Sequence, residues 1–107
     1  MKPTIAQIQA AVTAHYNLRE NDLLGPYRAH RIARPRHIAM HLARDMTGQS
    51  LPQIGFRFRR HHTTVMSSLE CAKKLVERPD FAADVAELRR RLAPDAHTTV
   101  ATSTAAV

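Results

Sequence analysis

Apolar side chains return along this chain at helical spacing. Ile5, Ile8, Val12 and Tyr16, preceded by Thr4 as an N-cap, predict a helix over residues 4–16 with one side on a core. Leu18, Leu23 and Leu24 belong to a short turn-and-helix piece opened by Asn21 and Asp22 and stopped by Gly25-Pro26. Residues 26–34 lie between two prolines without periodicity and read as an exposed loop carrying Arg28, His30, Arg31 and Arg34. Pro35 suits the first turn of the next helix, whose Ile38, Ala39, Leu42, Ala43 and Met46 form a narrow apolar stripe before Thr47-Gly48 ends it. Arg36, His37, His41 and Arg44 then project from its other faces.

A second pair of runs follows. Leu51, Ile54 and Phe58 line one face of a short helix, with Ser50 as N-cap and Pro52 in the first turn. Val65, Leu69, Ala72 and Val76 mark another helix packed on it. Between them Arg59, Arg60, His61, His62, Thr63 and Thr64 gather at the second helix's N-terminus, where short polar side chains and backbone N–H groups can meet bases and phosphates. The layout is that of a helix-turn-helix, with residues 62–77 as recognition helix. Beyond Pro79 a last amphipathic helix carries Phe81, Val85, Leu88 and Leu92, and Asp84, Glu87 and Arg89–Arg91 form its solvated face. Residues 95–107 are small and polar and read as a disordered tail, which gives one domain over 1–93 and a tail over 94–107. No run alternates over strand length, so the expected fold is all-α with five or six helices.

Charge sharpens this picture. The 107 residues hold 16 Lys and Arg against 9 Asp and Glu, a net +7. From Pro26 to His62 eight Arg face a single acid, Asp45, so this window carries the whole excess and the remainder is balanced. A field so localised favours a polyanion such as nucleic acid over a merely solvated surface. Cys71 is alone and forms no internal disulfide; it is expected packed or half-packed along the second helix. With no signal-peptide pattern and no apolar run near 18 residues, a soluble cytoplasmic protein without membrane contact is expected. His37 and His41 have the spacing of two metal ligands on one helical face, but no third donor follows, so no metal or other cofactor is expected. Met40, Met46 and Met66 suit core filling, and no acid pair or nucleophile–base arrangement indicates an enzyme.

Residues 32–65 contain Ile-Ala-Arg-Pro-Arg-His-Ile-Ala-Met-His-Leu-Ala-Arg, then Thr-Gly-Gln-Ser-Leu-Pro-Gln-Ile-Gly, then His-Thr-Thr-Val. In that order the segments resemble the family of the C-terminal DNA-binding domain of DnaA, the bacterial chromosomal replication initiator, over about residues 4–93. The resemblance implies an all-α fold of the Trp-repressor-like type, with the helix-turn-helix in the major groove of double-stranded DNA and a basic loop in the neighbouring minor groove. By position, Arg28 is similar to the minor-groove Arg, while Arg34, Arg36, His37 and Arg44 fall where the family contacts or approaches the backbone. Pro52, His62, Thr63 and Thr64 match the major-groove surface.

The chain departs from the family's pattern in the turn, which is one residue shorter and has His61 where an Asp is usual. Ser67 replaces a common base-contacting His, and Pro26 a usual Lys or Arg. An acceptor able to take a hydrogen bond from a cytosine amino group has become a side chain that donates, so a different DNA preference is expected. No Gly-x-x-x-x-Gly-Lys-Ser/Thr loop occurs in these residues, so they are not expected to hydrolyse ATP. Two functions fit. One is a sequence-specific, nucleoid-associated DNA binder regulating transcription or replication. The other is an interaction protein that binds a replication or transcription protein rather than a defined DNA site.

Overall fold

The computed structural model describes residues 2–92, and six helices follow one another in it: α1 (Ile5–Tyr16), α2 (Glu20–Leu24), α3 (His30–Thr47), α4 (Leu51–Phe58), α5 (His62–Leu75) and α6 (Pro79–Leu92). The tail expected over 94–107 lies outside the described residues. Several helix ends are fixed locally. Thr4 Oγ1 accepts from Gln7 N at 3.1 Å while Thr4 N donates to Gln7 Oε1 at 2.9 Å, so two otherwise unpartnered N–H groups are satisfied reciprocally. Ser50 and Gln53 repeat this box at the start of α4, with Pro52 in its first turn. At the C-terminal ends Asn17 (φ 58°) and Gly48 (φ 69°) turn left-handed, a conformation Gly and Asn adopt with least strain.

α3 is the central helix, packed by α1, α2, α4 and α5. It starts five residues earlier than the sequence suggests. Ala29 O accepts from both Ile32 N (2.9 Å) and Ala33 N (2.7 Å), and Ile32 is buried, so the turn before Pro35 is held by packing. Pro35 therefore sits inside the helix and is itself buried. It lacks only the N–H that Arg31 O would have met, a cost confined to the first turns. The exposed connection shrinks to residues 25–29, and His30, Arg31 and Arg34 ride on helix.

The core joins Ile5, Ile8 and Val12 of α1 to Ile38, Ala39, Leu42 and Ala43 of α3, Ile54 and Phe58 of α4, Val65 of α5 and Leu88 of α6. Met40 belongs to it and Met46 packs at its edge, but Met66, expected as filler, is 51% exposed because it falls on the outer face of α5. Cys71 lies exposed on the same helix, not packed. The inner stripe of α5 is Val65, Ser68, Ala72 and Leu75, with Leu69 and Val76 only partly covered. α6 is fastened to α1 by polar contacts as well as by its apolar face. Tyr16 donates to Asp84 Oδ2 at 2.7 Å, and His15 Nε2 lies 3.0 Å from Asp84 Oδ1. Asp84 is thus half-buried rather than part of a solvated face. Burial and the Asp84 bond push the Tyr16 hydroxyl well above its ordinary pKa.

Candidate nucleic-acid interface

α4 and α5 meet at a turn so tight that one position admits only glycine. A Cβ on Gly55 would come within 2.3 Å of Arg60 O, and Arg60 N donates back to Gly55 O at 2.8 Å. The chain leaves α4 through Arg59, which adopts φ 57°, and enters α5 through His61. His61 Nδ1 accepts from Thr63 N at 3.4 Å and lies 3.0 Å from Thr63 Oγ1, so this histidine is the N-cap of α5. The His61 and His62 rings lie against each other with centroids 4.5 Å apart. His61, His62, Thr63, Thr64, Met66 and Ser67 are all exposed, forming the outer face of the first two turns of α5. The positive end of that helix dipole adds to the field there.

Two of the arginines expected to face outward instead face the chain. Arg36 is buried at 5% exposure, donating through Nε to Leu23 O at 3.0 Å and through Nη2 to Tyr27 O at 2.6 Å. Burial and the nearby charge of Arg60 pull its pKa down to about 10, so it remains charged at neutral pH. Its place is explained by register: position 36 follows Ile32 by four residues and precedes Ala39, Met40 and Ala43, all buried. Arg60 is half-buried and donates through Nη1 to Leu24 O (3.2 Å) and Phe58 O (2.9 Å), and through Nη2 to Gly25 O. Burial lowers its pKa as well. Together the two guanidiniums occupy the last carbonyls of α2 and the start of the 25–29 connection, tying that loop to both α3 and the turn. Neither role is signalled by residue type, and only the apolar register of position 36 hints at one.

The remaining candidates occupy distinct places. Arg28 is exposed in the loop, and Arg59 is exposed in the turn with no side-chain hydrogen bond among the described residues. Arg34 is half-buried near the start of α3. Arg44 is exposed at its far end, where it donates to Gln49 O at 2.6 Å and steadies the entry to α4. Pro52 is exposed on α4. His37 is half-buried; its Nδ1 is enclosed without a hydrogen-bond partner, and burial followed by the Arg36 charge lowers its pKa. His41 does not join His37 at a metal site. It lies beside Arg89, which pairs with Asp45, and no group of three or more His, Cys, Asp or Glu comes together among the described residues. The loop, the turn and the recognition helix do converge, because Tyr27, Arg28, Arg36, Arg59, Arg60 and Thr64 line one open cleft of about 470 Å³. No carboxylate lines it. Exposed Phe56 and Arg57 on α4 adjoin this surface and carry no periodic signal of their own.

The geometry agrees with the relationships of the sequence. A family described as the bacterial dnaA protein helix-turn-helix matches residues 5–71, from α1 into α5. The chromosomal replication initiator protein DnaA of Cereibacter sphaeroides is 47% identical over 92 residues, 85% of this chain and 20% of that protein. Those of Roseobacter denitrificans and Gluconobacter oxydans are 45% identical over 93 and 91 residues, covering 20% and 19% of their lengths. The chain thus spans about a fifth of the curated relatives it matches. Among the described residues no helix is long and apolar enough to cross a membrane. This chain, with six helices among the described residues and the α4–α5 turn described above, belongs to the bacterial DnaA helix-turn-helix family, a DNA-binding module.

Proposed function

We propose that this chain binds double-stranded DNA sequence-specifically, with α4 and α5 in the major groove and the 25–29 loop in the adjoining minor groove, as a nucleoid-associated regulator of transcription or replication. The observation that carries this reading is the acid-free convergence of Arg28, Arg59 and Thr64 on one cleft, beside the exposed His61, His62, Thr63 and Ser67. His62, Thr63, Ser67 and Pro52 present the short polar and apolar surface that base edges accept. Arg34, Arg44 and Arg59 supply backbone contacts. Arg36 and Arg60 act as positioning residues, since they hold the loop rather than reach outward, and His37 packs beside Arg36's turn.

Arg28→Ala tests the reading. Loss of a minor-groove Arg should weaken binding by about 1–3 kcal/mol and relax the preference for A·T pairs on one flank. The melting temperature should hardly move, because the side chain is exposed. Unchanged affinity with a melting temperature lowered by many degrees would show Arg28 to be structural.

A further inference from the structure

The left-handed turn residue at the end of α4 is an arginine. Asn17 and Gly48, the other left-handed helix ends, carry the residue types that this conformation favours, whereas Arg59 holds φ 57° with a long side chain that makes no hydrogen bond among the described residues. A non-glycine residue in this region is strained, and such strain concentrates where a side chain has a task. Arg59 lines the cleft that also holds Arg28, Arg36, Arg60 and the exposed Thr64. Arg36 and Arg60 are satisfied by backbone carbonyls, which are neutral, so their charges remain uncompensated behind the cleft. An anion entering it meets the unengaged guanidiniums of Arg28 and Arg59, the Thr64 hydroxyl and the two fixed positive charges of Arg36 and Arg60.

We propose that Arg59 and Thr64 form a seat for a single phosphate, with Arg36 and Arg60 as its charged floor. The proposal rests on the DNA-binding reading and deepens it: the seated phosphate is the backbone diester between the major groove met by α5 and the minor groove met by Arg28. Planar guanidinium donors match phosphate oxygens, and two positive charges held beforehand in a partly desolvated floor attract the diester without ordering cost at the moment of binding. The same chemistry would accept inorganic phosphate, which separates the anion seat from the duplex.

The test walks one neutral methylphosphonate along each strand of a bound duplex and measures affinity for the natural chain and for Arg59→Gln. The natural chain should lose affinity at each contacted phosphate, by about tenfold at the seated one, the size of one charge-assisted hydrogen bond. Arg59→Gln should bind the unmodified duplex about tenfold more weakly and be indifferent to modification at that position. Arg59→Gly should melt higher than the natural chain while binding about tenfold more weakly, a split that a structural role for Arg59 would not produce. An Arg59→Gln variant that still loses affinity at every position where the natural chain does, or an Arg59→Gly variant that binds like the natural chain, would overturn the seat while leaving DNA binding intact. Should no duplex be bound at all, the DNA reading falls. Saturable shifts of the Arg59 and Thr64 amide resonances on titrating inorganic phosphate, absent in Arg59→Gln, would then keep the seat; no such shifts in the natural chain would overturn it too.

Discussion

Arg36 and Arg60 place two like charges close together without a carboxylate between them, an arrangement that stands only because backbone carbonyls take the donors. Leu23 O, Leu24 O and Gly25 O among them lie at the end of α2, where the helix dipole is negative and a cation is favoured. Arg36→Met should therefore cost folding stability, about 2–3 kcal/mol for two charged hydrogen bonds lost, or roughly 10 °C in melting temperature for a domain of this size. DNA affinity should fall with it, since the loop that carries Arg28 loses its anchor. A variant that melts like the natural chain but binds more weakly would return Arg36 to the DNA backbone. The sequence places Arg36 among basic residues and so suggests an outward side chain. Its burial is written only in its four-residue spacing from Ile32, a weaker signal than its charge.

At the scale of the elements, most boundaries are legible because they depend on neighbours in the chain. Thr4, Ser50, Pro52 and Gly48 act where the sequence puts them. The start of α3 is not legible, since Pro35 reads as a first-turn residue and only the packing of Ile32 reveals a helix before it. The cap of α5 is equally hidden, for histidine is an uncommon N-cap, and its Nδ1 acceptor is assigned only by the bond to Thr63 N. This bears on the shortened turn. His61→Asp should strengthen the cap and raise stability by about 0.5–1 kcal/mol, since Asp is among the favoured N-cap residues. The same change should move the preference in a selection from random duplexes toward the replication initiator's own site, while weakening non-specific binding by adding a negative charge near the DNA. If the natural chain already selects that site with nanomolar affinity, the His61 turn is a neutral variation.

At the scale of the whole molecule, α6 closes the core against α1 through Val85, Leu88 and the Tyr16–Asp84 bond, while its other side places Arg89 beside His41 and Asp45 of α3. His37 and His41 are both half-buried, and burial, then Arg36 for the first and Arg89 for the second, lowers their pKa, with Asp45 opposing at His41. A histidine whose pKa is lower in the folded state takes up proton on unfolding. Its contribution is therefore complete above about pH 6.5 and is lost as pH falls below that value toward the depressed folded ones. Melting temperature should thus decline between about pH 7 and 5.5, above the range of ordinary carboxylates, and His37→Asn with His41→Asn should flatten that decline. An equal slope in the double variant would remove these residues from the account. The pattern of apolar residues made the six-helix core readable, whereas polar contacts between distant elements, such as Asp84 with Tyr16, left no trace in local spacing.

If the positive field of residues 26–62 meets duplex DNA, binding must depend steeply on salt. Five exposed arginines in this window, Arg28, Arg31, Arg44, Arg57 and Arg59, together with half-buried Arg34, remain able to neutralise phosphates once Arg36 and Arg60 are committed to the loop. Six phosphate contacts predict that the logarithm of the duplex binding constant falls against the logarithm of salt concentration with a slope of about −5. An affinity that stays flat from about 50 to 300 mM salt would contradict the account, because counterion release would then have no part in binding.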